Sequence, residues 1–475
     1  MRGFRLVPSE KFGRMLRFLI MTQAEALSIL KTGANVFLTG EPGSGKTHTI
    51  NEYVSYLRSR GVEPSITAST GIAATHIGGM TVHSWSGIGI KNKLDKYDLD
   101  RIASTKHVVK RIGRAKVLII DEVSMLTPGT LSMVDAVCRE IKQTEAPFGG
   151  MQTVLVGDFF QLPPVVRKNI EAEEDGQQII TYDENPQRFA YSAEAWKRTN
   201  PFVCYLTEQH RQEDNIFLAL LSAIRHNVFD GSHFKHIEQR KIEPADAPKN
   251  VPKLFSHNAD VDRVNGEILS KLPGKAEIFD MRSQGVPAIV LALKRGCLSP
   301  EILRLKTGTA VMFTKNNPKE GYVNGSLGTV EGFSKENNYP AVKLRSGRKI
   351  EVAAASWAME EGGRVLARIT QLPLRLAWAI TVHKSQGMSL DEAVMDLSQV
   401  FEFGQGYVAL SRVRKLSGIH LLGWNERAFQ VHPEVLEEDD GFRARSEEAY
   451  LAFKKLGKDE ITAMHKNFIR ALARP

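Results

Sequence analysis

Apolar residues along this chain fall into short unbroken runs separated by longer amphipathic stretches. Asn35 to Gly40 (NVFLTG), Val117 to Ile120 and Val154 to Val156 are continuous runs that exit at Gly or Asp. Runs of this kind predict strands buried on both faces of a parallel sheet. HTINEYVSYLRSRG predicts a helix stopping at Gly61. TASTGIAATHIGGMTVHSW reads as another strand exit, rich in small hydroxyls, and KLFSHNADVDRVNGEIL as strand, loop and helix. In YLTEQHRQEDNIFLALLSAIR, the positions Ile216, Leu220, Ala223 and Ile224 fall on one helical face, the expected core face. Trp85 and Trp378 are expected in the core. Alternating strands and helices predict a doubly wound parallel sheet. Residues 305 to 352 break the pattern with short strands between Gly, Asn and Pro turns, which predicts a small β-barrel or meander. From 371 the α/β pattern returns in QLPLRLAWAITVHKSQGMSLDEAVMDL and GQGYVALSRVRKLSGIHLL, and from Val431 the chain reads as mixed-charge helix. The acidic stretch 169 to 185 reads as solvated loop. The pattern thus gives two α/β units, the second interrupted by a β insert.

Composition narrows this only a little. Among 475 residues, 63 Lys and Arg face 54 Asp and Glu, a net charge of +9 that leans toward a polyanionic partner. Cys138, Cys204 and Cys297 lie far apart with no C-x-x-C pair, which speaks against a zinc site or a disulfide framework and fits a reducing compartment. No apolar stretch is long enough to cross a membrane, so no membrane partner is expected. Residues 1 to 20 are basic with one acidic residue, and read as an arm or as a mis-assigned start upstream of Met21 in preference to a targeting presequence.

The chemistry begins at FLTGEPGSGKTHTI. Gly40 to Thr47 fits G-x-x-x-x-G-K-[ST], between a strand and a helix. Gly43 and Gly45 allow the backbone to turn its N–H groups toward an anion at a helix start. Lys46 reaches the β- and γ-phosphates and the Thr47 hydroxyl suits Mg2+, so the expected ligand is a nucleoside triphosphate. Asp121 and Glu122 stand at a strand's carboxyl end, where the first acid can hold Mg2+ and the second can polarise water. Gln161 follows another strand exit, where a glutamine can sense a γ-phosphate. Arg211 and Arg412 belong to the second unit and are candidates to reach the nucleotide across a cleft.

Read together, TGEPGSGKT, TASTGIAA, TVHS, IIDEVSM, PFGGMQTVLVGDFFQLPPV, LTEQHRQ, WAITVHKSQGMSLD and YVALSRV resemble the Pif-type DNA helicases. These belong to the 5′-to-3′ branch of helicase superfamily one, which also includes the RecD-like proteins. The resemblance runs from about Met21 to Leu422, and the Pro147-Phe148-Gly149-Gly150 stretch favours the Pif-type over the RecD-like group. It implies two RecA-like P-loop motor domains with parallel sheets, the second interrupted by a small SH3-like β-barrel. The expected boundaries are 21–190 for the first motor, 191–268 with 366–430 for the second, 269–365 for the insert and 431–475 for a helical tail. A wedge element is expected near 85–110, where Lys91, Lys93, Lys96, Arg101, Lys106, Lys110 and Arg111 cluster.

The resemblance also implies roles for single residues. Gln23 would read adenine, and Gly40, Gly43, Ser44, Gly45, Lys46, Thr47 and Thr49 would form the nucleotide site. Thr47 and Asp121 would hold Mg2+, and Lys46, Asp121, Glu122, Gln161, Arg211 and Arg412 would act on ATP. Thr70, Gly71 and His83 would contact single-stranded DNA from the first motor, and Asn258, His383, Lys384 and Ser385 from the second. Asn258 departs from the family's commoner Thr-Arg/Asn wording.

The expected activity is ATP-dependent 5′-to-3′ unwinding of duplex, forked or G-quadruplex DNA in genome maintenance. The expected protein is a monomer acting at single-strand/double-strand junctions. The family's settings place it in the cytoplasm or nucleoid of a bacterium or phage, or in the nucleus or mitochondria of a eukaryote. A DNA-stimulated ATPase that acts as a clamp or displaces proteins without unwinding is the alternative. A P-loop kinase for a small molecule is disfavoured by the second α/β unit and the basic balance.

Overall fold

A computed structural model describes residues 21–473, apart from 71–72, 75–78, 90, 92, 165–168, 173–177, 182–187, 208–213, 249–250, 257, 316, 318, 323, 362–363 and 387–388. Arg211 and Gly71 lie outside the described residues, as does the N-terminal arm.

The first sheet uses the apolar runs found in the sequence. Its strands are β1 (Val36–Gly40), β2 (Ser65–Ala68), β3 (Met80–Thr81), β4 (Val117–Asp121), β5 (Gln152–Val156) and β6 (Phe202–Leu206), in the order β3-β2-β4-β5-β1-β6. All are parallel. β1 and β5 are buried along their whole length, as strands with helices on both faces must be. Helix α1 (Gln23–Leu30) starts with a Thr22–Glu25 capping box, and α2 (Lys46–Arg58) follows the phosphate loop. The chain then forms α3 (Val82–Ser86), α4 (Lys96–Ala103), α5 (Lys106–Arg114), α6 (Pro128–Lys142) and α7 (Asn215–Arg225).

The second sheet is smaller and also parallel. It consists of β7 (Lys253–Phe255), β8 (Ala379–Thr381), β9 (Ala393–Leu397) and β10 (Ile419–Trp424), in the order β8-β7-β9-β10. Helix α8 (Asn258–Lys271) follows β7, and α9 (Gln405–Leu410) precedes β10. Between them lies the insert. Its largest sheet is antiparallel, from the strands 310–313, 327–333, 340–344, 349–351 and 374–376. Among the described residues its strand order is open, with edges at Lys349–Glu351 and Leu374–Leu376, the arrangement of the meander that the sequence pattern allowed beside a barrel. A three-stranded and a two-stranded antiparallel sheet extend the β structure back to Glu277, beyond the expected 305–352.

The structure adds to and adjusts these expectations. β6 pairs with β1 throughout, so the first sheet continues past residue 190. The tail packs on the first motor. From α10 (Pro433–Lys455), Phe442 sits 5.0 Å from the Phe37 ring and stacks on Phe159 at 5.9 Å. From α11 (Lys458–Leu472), Phe468 lies under Gly33, where an added Cβ would meet the ring at 2.2 Å. In α7, Leu220, Ala223 and Ile224 are buried as expected, together with Phe217 and Leu221, while Ile216 is 51% exposed. Finally, the acidic segment 169–185 contains a short antiparallel pair, Asn169–Ala172 with Gln178–Thr181, where β-branched Ile170, Ile179 and Ile180 favour strand. Trp85 and Trp378 are buried as expected.

Candidate functional site

The phosphate loop is shaped by backbone that only glycine adopts easily. Gly40, Gly43 and Gly45 all have positive φ, at 145°, 90° and 89°. Gly40 also abuts the Leu206 carbonyl, which an added Cβ would meet at 2.4 Å. Gly45 is the N-cap of α2, and its Cα faces Gln23, whose amide donates to the Ser44 carbonyl at 3.2 Å. The Lys46 ammonium donates to the carbonyls of Gly40 and Glu41 at 2.7 and 3.1 Å. Burial lowers the Lys46 pKa, and the negative charge of Asp158 opposes that shift. Two of the expected nucleotide-site residues, Thr49 and Ser44, are buried at the loop. Thr49 is fully buried and its hydroxyl donates to the Gly45 carbonyl at 3.1 Å. Ser44 is also fully buried, with no partner for its hydroxyl among the described residues.

The acids come from the end of β4. Asp121 accepts from the Glu122 N–H at 2.9 Å. Glu122 stands in the left-handed region at φ 52° and ψ 43°. Such backbone in a non-glycine residue costs about 1–3 kcal/mol and persists where the surroundings enforce it. Burial, then the neighbouring Asp121, push the Glu122 carboxyl up to about 7. Asp121 is likewise raised by burial, with the Glu122 N–H and Lys46 opposing. Thr47 and Asp121 offer hard oxygen donors, the kind Mg2+ takes alongside substrate phosphates. Among the described residues no group of three His, Cys, Asp or Glu side chains forms an all-protein metal cage.

These groups line a cleft of about 890 Å³ between the two motors. Lys46, Thr47, Glu122 and Gln161 face Asp391, Arg412, Arg414 and Lys415, and Arg345 reaches in from the insert. Arg412 is 2% exposed and contributes positive charge at Glu122. One cross-cleft residue escaped the sequence reading. Gln386, just past β8, donates to Glu122 Oε2 at 3.2 Å and to Gln161 Oε1 at 3.4 Å. It stood inside the quoted HKSQG stretch, next to three residues assigned to DNA. Gln161 in turn donates to Asp158 Oδ2 at 3.2 Å, another residue read only as a strand exit.

The DNA candidates follow two adjacent strands at one side of each sheet, β3 with β2 and β8 with β7. Thr70 comes after β2 and His83 after β3; Asn258 starts α8 after β7, and 383–385 forms a turn after β8. The nucleotide groups follow the central strands β1, β4 and β5 instead. Burial lowers the His83 pKa, and burial with the charge of Arg375 lowers that of Lys384. Ser385 belongs to the same turn. It is fully buried and donates to the Val382 carbonyl at 2.7 Å, so it supports the turn that carries His383 and Lys384. In the expected wedge, Lys91 and Arg101 both pair with Asp98, and Arg111 donates to the carbonyls of Ser84 and Trp85. Lys93, Lys96, Lys106 and Lys110 are exposed there, beside Tyr97 at 74% exposure.

Comparison with known proteins agrees with this geometry. Residues 19–224 match the PIF1-like helicases, and 288–333 match the 2B domain of the DNA helicase Pif1. The chain is 39% identical to the ATP-dependent DNA helicase Pif1 of Psychrobacter sp. over 95% of its own length and 75% of that protein. The structure superposes on Bacteroides sp. Pif1 in complex with ADP-AlF4 with a TM-score of 0.74 and 29% identity, covering 90% of this chain and 97% of that one. A Bacteroides Pif1 bound to ssDNA gives a TM-score of 0.60 and 30% identity, covering 89% and 97%.

Proposed function

This chain belongs to the PIF1-like helicase family, and from that membership we propose an ATP-driven motor that moves 5′ to 3′ along single-stranded DNA and opens forked and G-quadruplex structures as a monomer. The activity class itself, an ATP-dependent DNA helicase, follows from the family. The observation that carries the mechanism is the Gln386 amide, which bonds to both Glu122 and Gln161 from the opposite motor.

The chain's own residues give each step. Lys46 and the loop N–H groups hold the phosphates, and Glu122 orients the attacking water. Thr47 and Asp121 would hold Mg2+, which neutralises phosphate charge when bound. Gln161 and Arg412 meet the γ-phosphate from either side of the cleft, with Arg211 as a further candidate. A nucleotide gripped from both motors favours the closed cleft, and loss of the γ-phosphate removes that preference. Strand-end groups at Thr70, His83, His383 and Lys384 take the DNA, so opening and closing moves one grip relative to the other. The exposed lysines of α4 and α5 meet the fork.

The test is strand displacement on two partial duplexes, one with a 5′ tail and one with a 3′ tail, using Lys46→Ala as control. Unwinding of the 5′-tailed substrate alone, abolished in the control, is expected. Unwinding from the 3′ tail would reverse the direction. DNA-stimulated ATP hydrolysis without displacement would favour a clamp or protein-displacing remodeller.

A further inference from the structure

Arg225, the last residue of α7, is fully buried. A charge in such a place calls for hydrogen-bond partners, which both Nη atoms have while Nε has none among the described residues. Its Nη1 donates to Asp158 Oδ1 at 2.8 Å and to the Tyr407 hydroxyl at 3.3 Å, and its Nη2 donates to the Tyr205 hydroxyl at 2.8 Å. Its guanidinium lies 4.0 Å from the centre of the Phe160 ring. One side chain therefore grips the 158–161 loop at two points, by an ion pair and by a cation–π contact.

The far side of the network comes from the C-terminal tail. Tyr205 also accepts from Arg443 Nη2 at 2.7 Å and donates to Asp439 Oδ1 at 3.0 Å. A phenol has one proton and two acceptor sites, so this hydroxyl is saturated. Asp439 Oδ2 accepts from Arg443 Nε at 2.7 Å. On the near side, Asp158 accepts from the Gln161 amide. A carboxylate can only accept, so it fixes which end of that amide is nitrogen and turns Oε1 toward Gln386. The network also reaches the opposite motor. Tyr407 sits on α9, whose N-cap Gly404 lies against the Phe160 and Gln161 carbonyls, and Arg412 follows the helix.

We propose that Arg225, Tyr205 and the tail pair Asp439–Arg443 are positioning residues for ATP hydrolysis, which makes the C-terminal helix α10 part of the γ-phosphate-sensing apparatus. They hold Asp158, Asp158 orients Gln161, and Tyr407 links that orientation to the helix that delivers Arg412. The inference rests on reading Gln161 as the group facing the γ-phosphate.

The test uses the full chain with Tyr205→Phe, Asp439→Asn and Arg443→Lys, each close in volume to the residue it replaces. The readouts are kcat and KM of DNA-stimulated ATP hydrolysis, and affinities for fluorescent ADP and for a non-hydrolysable ATP analogue. Misplacing a reacting group by about 1 Å can cost up to about a hundred-fold, so a fall in kcat of about ten-fold is expected. ADP affinity should hold while preference for the ATP analogue over ADP shrinks. Wild-type kcat in the folded variants would overturn the proposal. So would a parallel loss of both affinities, which is the mark of a purely structural network. Gln161→Ala separates the two levels: wild-type activity there would overturn the γ-phosphate reading itself, whereas loss there with intact tail variants would overturn only the tail's role.

Discussion

Substituting Gly404 with alanine perturbs the contact between the motors at one point. Gly404 has φ 75°, and an added Cβ would lie 2.5 Å from the Phe160 carbonyl oxygen and 2.7 Å from that of Gln161. Ordinary C–H to carbonyl spacing is about 3.3 Å, so the gap must widen by roughly 0.8 Å. Left-handed backbone adds about 1–2 kcal/mol for a residue with a Cβ. Both oxygens are backbone atoms of a loop held by Asp158 and Arg225, so the loop yields little. The displacement passes to α9 and to Arg412 beyond it. A shift of this size predicts a fall in DNA-stimulated kcat of about ten- to a hundred-fold. Stability changes by a similar free energy, about 1–2 kcal/mol, which at about 2 °C per kcal/mol lowers the melting temperature by only a few degrees. Steady-state ATPase assays and thermal unfolding of the same preparation separate the two effects. A variant with wild-type kcat would refute the claim that this contact sets the cleft.

Gly441 makes a matched comparison, because it lies inside α10 with no atom nearer than 3.9 Å to an added Cβ. Gly441→Ala should stabilise by about 0.5–1 kcal/mol, read from chemical unfolding, with activity unchanged. Gln386→Ala removes both cross-cleft hydrogen bonds, at about 1 kcal/mol each, and should lower kcat about thirty-fold while leaving the KM for ATP near wild type. Phe442→Ala empties a ring site packed against Phe37, Phe159 and Trp196 and should cost about 3–5 kcal/mol in unfolding experiments. Replacing the exposed Lys106 and Lys110 with Glu should weaken binding to forked DNA and reduce its salt dependence by about one unit of slope per lost phosphate contact, measured by titration at several salt concentrations.

What the sequence revealed was local. The phosphate loop, the acid pair after β4 and the apolar strands are contiguous words whose chemistry follows from spacing alone. Alternation of strand and helix also announced both parallel sheets and the interruption between them. What it hid was pairing across distance. Arg225 looks like the last residue of an amphipathic helix, and nothing near it signals Asp158 or Tyr407. The tail reads as mixed-charge helix, yet Phe442 completes an aromatic cluster of the first motor. Likewise β6 carries no mark of its sheet, because a parallel strand's neighbour is set by the crossover rather than by the strand. Also hidden were the local bonds of Thr49 and Ser385, whose buried hydroxyls donate to the Gly45 and Val382 carbonyls beside the functional residues.

The central claim is that the nucleotide draws the two motors together through Gln386 and Arg412. Single-molecule energy transfer between dyes at the exposed positions Glu63 and Lys271 measures that closure directly. An ATP analogue should shift the wild-type population to one closed state, and Arg412→Ala should remain distributed as it is without nucleotide. Equal closure in wild type and Arg412→Ala, or no closure in either, would contradict the account.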